Sequence, residues 1–131
     1  YQIKKELPQI PVVLNGNISV IDDINIHLNQ LDGVMLGRLA CDNPFKIAQI
    51  HQALYLDNQL ITRSQVFAQY LEYVHQAFRD GASLSLLLKP VFNLAFGLNG
   101  SSQWKQKLML VLQSKNTSLL DELVFYLSEI E

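Results

Sequence analysis

A chain of 131 residues with 49% hydrophobic and 17% charged side chains can bury the core of one domain or two small ones, and it is too apolar for a disordered tail. Its net charge of −2 excludes a uniformly basic nucleic-acid binder, and no apolar run reaches the roughly 18–20 residues of a membrane-spanning helix. Cys41 is the only cysteine, so there is no internal disulfide, which suits a reducing, cytoplasmic setting.

Lys4 and Lys5 are followed by Glu6 and Pro8 rather than by an apolar segment, so no secretory signal is read there. The chain starts at Tyr1, not Met, and reads as a piece of something longer. Ile10-Pro11-Val12-Val13-Leu14 is an apolar, β-branched run closed by Asn15-Gly16. Gly33-Val34-Met35-Leu36-Gly37 is a second run, bounded by glycines. Such runs suit strands buried on both faces of a parallel sheet. Between them Ser19 can cap a helix carrying Ile21, Ile24 and Leu28, with Asp22 and Asp23 in its first turn serving the dipole. A strand–helix–strand crossover makes the two strands parallel. Asn43-Pro44 then opens another helix with Phe45, Ile47, Ala48, Ile50 and Leu54 on its apolar side, and Asp57-Asn58-Gln59 reads as a junction.

The remainder reads as helical. Thr62 to Gln65 has the spacing of a capping box, and the helix it opens, bearing Val66, Phe67, Tyr70, Leu71, Val74 and Phe78, ends at Gly81. Ser83 can cap a segment apolar nearly all round, expected at the centre of the helices and split or kinked at Pro90. A third helix carries Trp104, Leu108, Met109, Val111 and Leu112, with Trp104 read as core rather than as a base-stacking platform. Ser118 to Asp121 is a second capping-box pattern, opening a fourth helix. The fold class expected is mixed α/β plus all-α, with two βα units of an incomplete sheet or barrel over residues 1–56 and a four-helix bundle over 57–131. Two strands leave edges unpaired, so partner strands from elsewhere, or self-association through those edges, are expected.

Ligands of α/β folds bind at the carboxyl ends of the strands. There stand Asn15-Gly16-Asn17 and Gly37-Arg38. Gly16 lets backbone amides approach a bound group, Asn17 tolerates positive φ, and Arg38 offers a planar cationic fork. Either loop alone reads as a turn or a strand end. Paired across one strand–helix–strand unit, they point to a phosphate site. His27, His51 and His75 show no ligand spacing with one another or with Cys41, so no metal site is expected, and Cys41 is read as a packing residue. No nucleophile motif is present. Between Asp80 and Asp121 there is no acid, but Lys89, Lys105, Lys107 and Lys115 make that window cationic.

Asn15-Gly16-Asn17-Ile18, followed by Asp32-Gly33-Val34-Met35-Leu36-Gly37-Arg38 and Asn43-Pro44, resembles the last barrel segment of tRNA-dihydrouridine synthases, most closely the A subfamily. The stretch from Leu84 to Leu108, with Gly97 and Gly100 and Trp104-Lys105, is similar to that family's helical domain. The resemblance implies a TIM-type barrel that binds FMN and takes its electrons from NADPH. It implies reduction of a D-loop uridine of tRNA to 5,6-dihydrouridine, and a helical domain that grips tRNA. It assigns the flavin phosphate to Asn15, Gly16, Asn17, Gly37 and Arg38, and RNA contacts to Lys89, Lys105 and Lys107. The family's catalytic cysteine lies in the earlier barrel half, so this chain carries no catalytic residue and alone is expected to be inactive and free of flavin. Two positions depart from the pattern: Asn17 replaces the second loop glycine, and Ser102 stands where a base often precedes the Trp. The alternatives are a fragment of another FMN or phosphate-binding barrel oxidoreductase, and a stand-alone RNA-binding helical module.

Overall fold

Two short strands, β1 (Val13–Asn15) and β2 (Gly33–Met35), pair in parallel with Val13 opposite Gly33 and Asn15 opposite Met35. A computed structural model describes residues 1–55 and 61–131. The predicted junction at Asp57-Asn58-Gln59, and with it the expected 56/57 boundary, lies outside the described residues. The element order is α1 (Gln2–Glu6), β1, α2 (Ile21–Leu28), β2, α3 (Gly37–Asp42), α4 (Phe45–Tyr55), α5 (Arg63–Arg79), α6 (Leu84–Leu88), a 3-10 turn (Lys89–Val91), α7 (Ser101–Ser114) and α8 (Leu119–Ile130).

The sheet is covered on one face only. Leu14 and Val34 pack against the buried Ile18, Ile24 and Ile50. Val13 and Met35 on the other face are 59% and 51% exposed. The expectation of burial on both faces is therefore corrected, because α2 and α4 supply apolar side chains to one side and no described element covers the other. The strands are also shorter than their apolar runs. Pro11 has no N–H to donate. Beyond it the Val12 N–H donates to Asp32 Oδ2 at 2.8 Å, and the Asp32 N–H donates to the Val12 carbonyl at 3.1 Å.

Lys4 Nζ lies 2.8 Å from the same Asp32 oxygen, which ties α1 to the start of β2. Lys4 first, and the Val12 amide second, hold the Asp32 carboxyl below the usual aspartate value. A folded-state value that is depressed stabilises above the unfolded pKa, about 3.9, and the contribution is lost as pH falls through the folded value. In an NMR titration the Val12 amide resonance should move with a midpoint below that reference. A midpoint at or above it would refute the tie.

Helices α5 to α8 share one apolar core. Phe67, Leu71 and Val74 of α5 meet Leu87 and Leu88 of α6, Trp104 and Leu108 of α7, and Leu120 and Leu127 of α8. Thr62 and Gln65 form the predicted capping box, with reciprocal side-chain-to-backbone bonds. The Gly81 N–H donates to Phe78 and the Ala82 N–H to Ala77, which is a Schellman ending with Gly81 at φ 93°. Pro90 falls in the 3-10 turn and splits the apolar segment as expected. That segment is not buried all round, since Leu86 is 70% exposed. Gly100, at φ 101°, sits against α8: a Cβ there would lie 2.7 Å from the Tyr126 hydroxyl, which donates to the Gly100 carbonyl.

Four predicted caps are corrected. Ser83 stands at the N-cap position of α6, but its hydroxyl bonds the Ser85 hydroxyl and makes no cap bond to the helix backbone. The extended Val20, not Ser19, is the N-cap of α2. Ser118 is in the αR region and its hydroxyl donates to Asn116 Oδ1 instead of accepting from α8. Asn43 Oδ1 is buried without a hydrogen-bond partner, so the side chain does not cap α4; the Asn43 carbonyl accepts from Lys46 N–H instead. Among the described residues no helix is long and apolar enough to cross a membrane.

Candidate phosphate and RNA sites

Four of the five predicted phosphate-site residues converge. The carboxyl ends of two parallel strands must lie side by side, so the loops that follow them are neighbours. Asn15, Asn17, Gly37 and Arg38 line one cavity of about 400 Å³, together with Ile18, Ser19, Met35, Leu39 and Asp42. Arg38 Nη2 donates to Asn17 Oδ1 at 2.9 Å, joining the two loops. Asn17 has φ 49°, the left-handed region that asparagine tolerates, so this loop adopts αL without a glycine. Gly16 lies in the loop but does not line the cavity, and a Cβ there would meet nothing within 4 Å.

The chemistry of the donors fits a phosphate monoester. A guanidinium offers five N–H donors in a fork, and the first residues of α3, Gly37, Arg38 and Leu39, face the same space. Asp42 is the opposing charge. It stands four residues after Arg38 on α3, yet among the described residues no ion pair joins the two. Ser19, Leu39 and Asp42 were not foreseen as site residues. Ser19 carried a signal, two residues past Asn17, but it equally suited a helix cap.

The lysines of the cationic window are exposed, and Lys89, Lys107 and Lys115 line three different hollows. Lys105 and Lys107 are two residues apart on α7, a spacing at which helical side chains project to different sides. Lys107 Nζ lies 5.0 Å from the Tyr126 ring centroid and shares a hollow with Glu122 and Glu129 of α8. Lys89 sits elsewhere, in a hollow with Ala40, Cys41, Pro90, Phe92 and Asn93. That hollow adjoins α3, because Asn93 Nδ2 donates to the Cys41 carbonyl at 2.8 Å. Cys41 is exposed there, not packed as expected. Trp104 is fully buried, and its Nε1 donates to the Val91 carbonyl at 3.0 Å, so it offers no face to a base. Among the described residues no group of three or more His, Cys, Asp or Glu could hold a metal ion.

Arg63 joins the two halves of the chain. Its guanidinium stands 4.2 Å from the Phe45 ring centroid of α4, and its Nε donates to the Leu94 carbonyl. Burial pulls its pKa down, and the Glu131 charge opposes that shift. The Glu131 carboxylate accepts from the backbone N–H groups of Arg63 and Ser64 and from the Ser64 hydroxyl.

The sequence profile of the family described as dihydrouridine synthase (Dus) matches residues 1–130. Among curated proteins, the chain is 36% identical over 109 residues to the tRNA-dihydrouridine(20/20a) synthase of Haemophilus ducreyi, covering 82% of this chain and 34% of that protein. It is 34% identical over 108 residues to the protein of the same name from Pseudomonas putida, covering 82% and 32%. It is 31% identical over 107 residues to that of Vibrio cholerae, covering 81% and 33%. The chain thus spans about a third of the length of the curated relatives it matches.

Proposed function

Because the chain belongs to the dihydrouridine synthase family, we propose that it forms the flavin-phosphate end and the RNA-facing helices of a tRNA-dihydrouridine synthase. The whole protein would reduce a D-loop uridine of tRNA, at position 20 or 20a as the relatives' names suggest, using FMN and NADPH in the cytoplasm. The observation that carries this reading is the single cavity at the carboxyl ends of the paired strands, where Asn17 and Arg38 meet. In the proposed arrangement, residues 1–56 complete a TIM-type barrel whose other strands cover the exposed side and edges of β1 and β2. Residues 57–131 form the helical domain. Without those other strands the chain would be inactive and prone to self-association at its sheet edges.

When bound, FMN supplies hydride transfer to the uracil ring, while the protein binds and orients. Arg38 and the amides at Asn17 and Gly37 would hold the phosphate, with Gly16 shaping the loop between them and β1. The target nucleotide must leave its stack to be reached. Lys89 would hold RNA backbone beside α3, and Lys105 and Lys107 would add contacts from α7. The test is direct. The full-length protein carrying this segment, given FMN, NADPH and unmodified tRNA, should add two hydrogens to a D-loop uridine, read by mass spectrometry of nuclease fragments. NADPH consumption that is indifferent to tRNA, with no mass gain, would sink the reading.

The three lysines should differ. Lys107 already has Glu122 and Glu129 beside it and Tyr126 beneath its ammonium. Reversal of Lys89 to Glu should lower the slope of log K against log salt by about one. Reversal of Lys107 should change it less. Equal slopes for both variants and the wild type in tRNA gel shifts would remove Lys89 from the interface.

A further inference from the structure

The loop pattern of the family has a glycine where this chain has Asn17, and that departure comes with a contact a glycine cannot make. The Asn17 side-chain carbonyl accepts a hydrogen bond from Arg38 Nη2 at 2.9 Å across the mouth of the cavity. Arg38 has an obvious competing partner. Asp42 is four residues on along α3 and lines the same cavity. Opposite charges at that spacing on a helix attract. Were they to pair, the carboxylate would occupy the fork and cancel the charge that an anion needs. Among the described residues no such pair forms; the guanidinium is turned across to Asn17 instead.

We infer that Asn17 is a positioning residue, whose side-chain carbonyl holds the Arg38 guanidinium away from Asp42 and aimed at a phosphate monoester in the cavity. The inference rests on the flavin-phosphate reading above. A neutral acceptor suits this role better than a carboxylate: it takes one of the five guanidinium donors and leaves the positive charge uncancelled. Arg38 is exposed, so without such a restraint its long side chain samples many rotamers, and ordering it would weaken binding.

The test uses the full-length enzyme stripped of flavin and titrated with FMN and with riboflavin, which lacks the phosphate, by flavin fluorescence. Asn17→Gly is the informative variant, because glycine accepts φ 49° and the backbone is retained; an unchanged thermal midpoint checks this. The preference for FMN over riboflavin should fall by about three- to tenfold, the worth of one positioning hydrogen bond. Adding Asp42→Asn to Asn17→Gly should recover part of it, because the competing charge is gone. The inference is overturned if Asn17→Gly keeps the full preference, if both ligands weaken equally, or if Asp42→Asn recovers nothing. A wild-type enzyme that binds FMN and riboflavin alike would overturn the flavin-phosphate reading itself, which separates the two failures.

Discussion

Replacing Trp104 with alanine is expected to cost about 3–5 kcal/mol, the range for truncating a large buried aromatic. The side chain is fully buried among α5, α6, α7 and α8. It stands edge-on to Phe67, with centroids 5.0 Å apart and rings at 81°. Its Nε1 donates to the Val91 carbonyl in the 3-10 turn at Pro90, so truncation also removes a buried hydrogen bond, although that carbonyl still accepts from the Leu94 N–H. Small domains are stable by only about 5–15 kcal/mol, so the loss is a large share of the total. Trp104→Phe should fall between alanine and wild type, since it refills much of the volume but cannot donate. Leu86→Ala, on a side chain 70% exposed in the adjacent helix, should shift stability by no more than about 0.5 kcal/mol. Urea unfolding of the three variants gives the comparison. A Trp104→Ala midpoint near that of Leu86→Ala would mean that the indole is not in the core.

What the sequence makes legible here is what short-range chemistry decides. Thr62 and Gln65 cap α5 because both partners of the box lie within one turn. Gly81 ends α5 because its φ of 93° is open to glycine and closed to most others. Pro90 breaks an apolar segment wherever that segment packs. Ser19, Asn43 and Ser118 were read by the same rules and do not cap, because where each side chain comes to rest is not set by the spacing alone: Asn43 Oδ1 is buried without a hydrogen-bond partner. Ser118 finds Asn116, and Ser19 falls one residue short of the N-cap and lines the cavity. Helix α1 went unread: its five residues bury nothing, and it is tied down by Lys4 reaching Asp32, a contact between distant positions.

The site divides in the same way. Convergence of Asn15, Asn17, Gly37 and Arg38 follows from one topological statement, that β1 and β2 run parallel, and so it could be anticipated. The roles of Ser19 and Asp42 depend on the path of each loop and on which way α3 turns, which no local rule gives. The cationic window was visible as a count of charges, but charge along a chain is not charge on a surface. Lys107 lies against the glutamates of α8, a neighbour more than a dozen residues later in sequence. Family membership supports the flavin reading over a free-standing helical module, since the matching profile runs through both halves of the chain.

Arg38→Ala should lower affinity for FMN by about ten- to a hundredfold and leave riboflavin nearly unaffected, given the ~1.5–3 kcal/mol of a hydrogen bond to a charged group. The selectivity follows from position: among the cavity's lining residues Arg38 is the one cation, and Asp42 lines the same cavity. Removing it leaves Asp42 as the only full charge there, so the phosphate loses an attraction and keeps a repulsion. Arg38→Lys should recover part of the loss, restoring a point charge without the fork that grips two oxygens at once. It should also lose the geometry of the bond to Asn17, so its affinity should respond less than wild type to Asn17→Gly. A double-mutant cycle over Asn17 and Arg38, read as the FMN-to-riboflavin ratio, measures that coupling. Strict additivity would mean that the two loops act independently on the anion. A coupling that disappears with riboflavin would tie the contact between them to the phosphate alone.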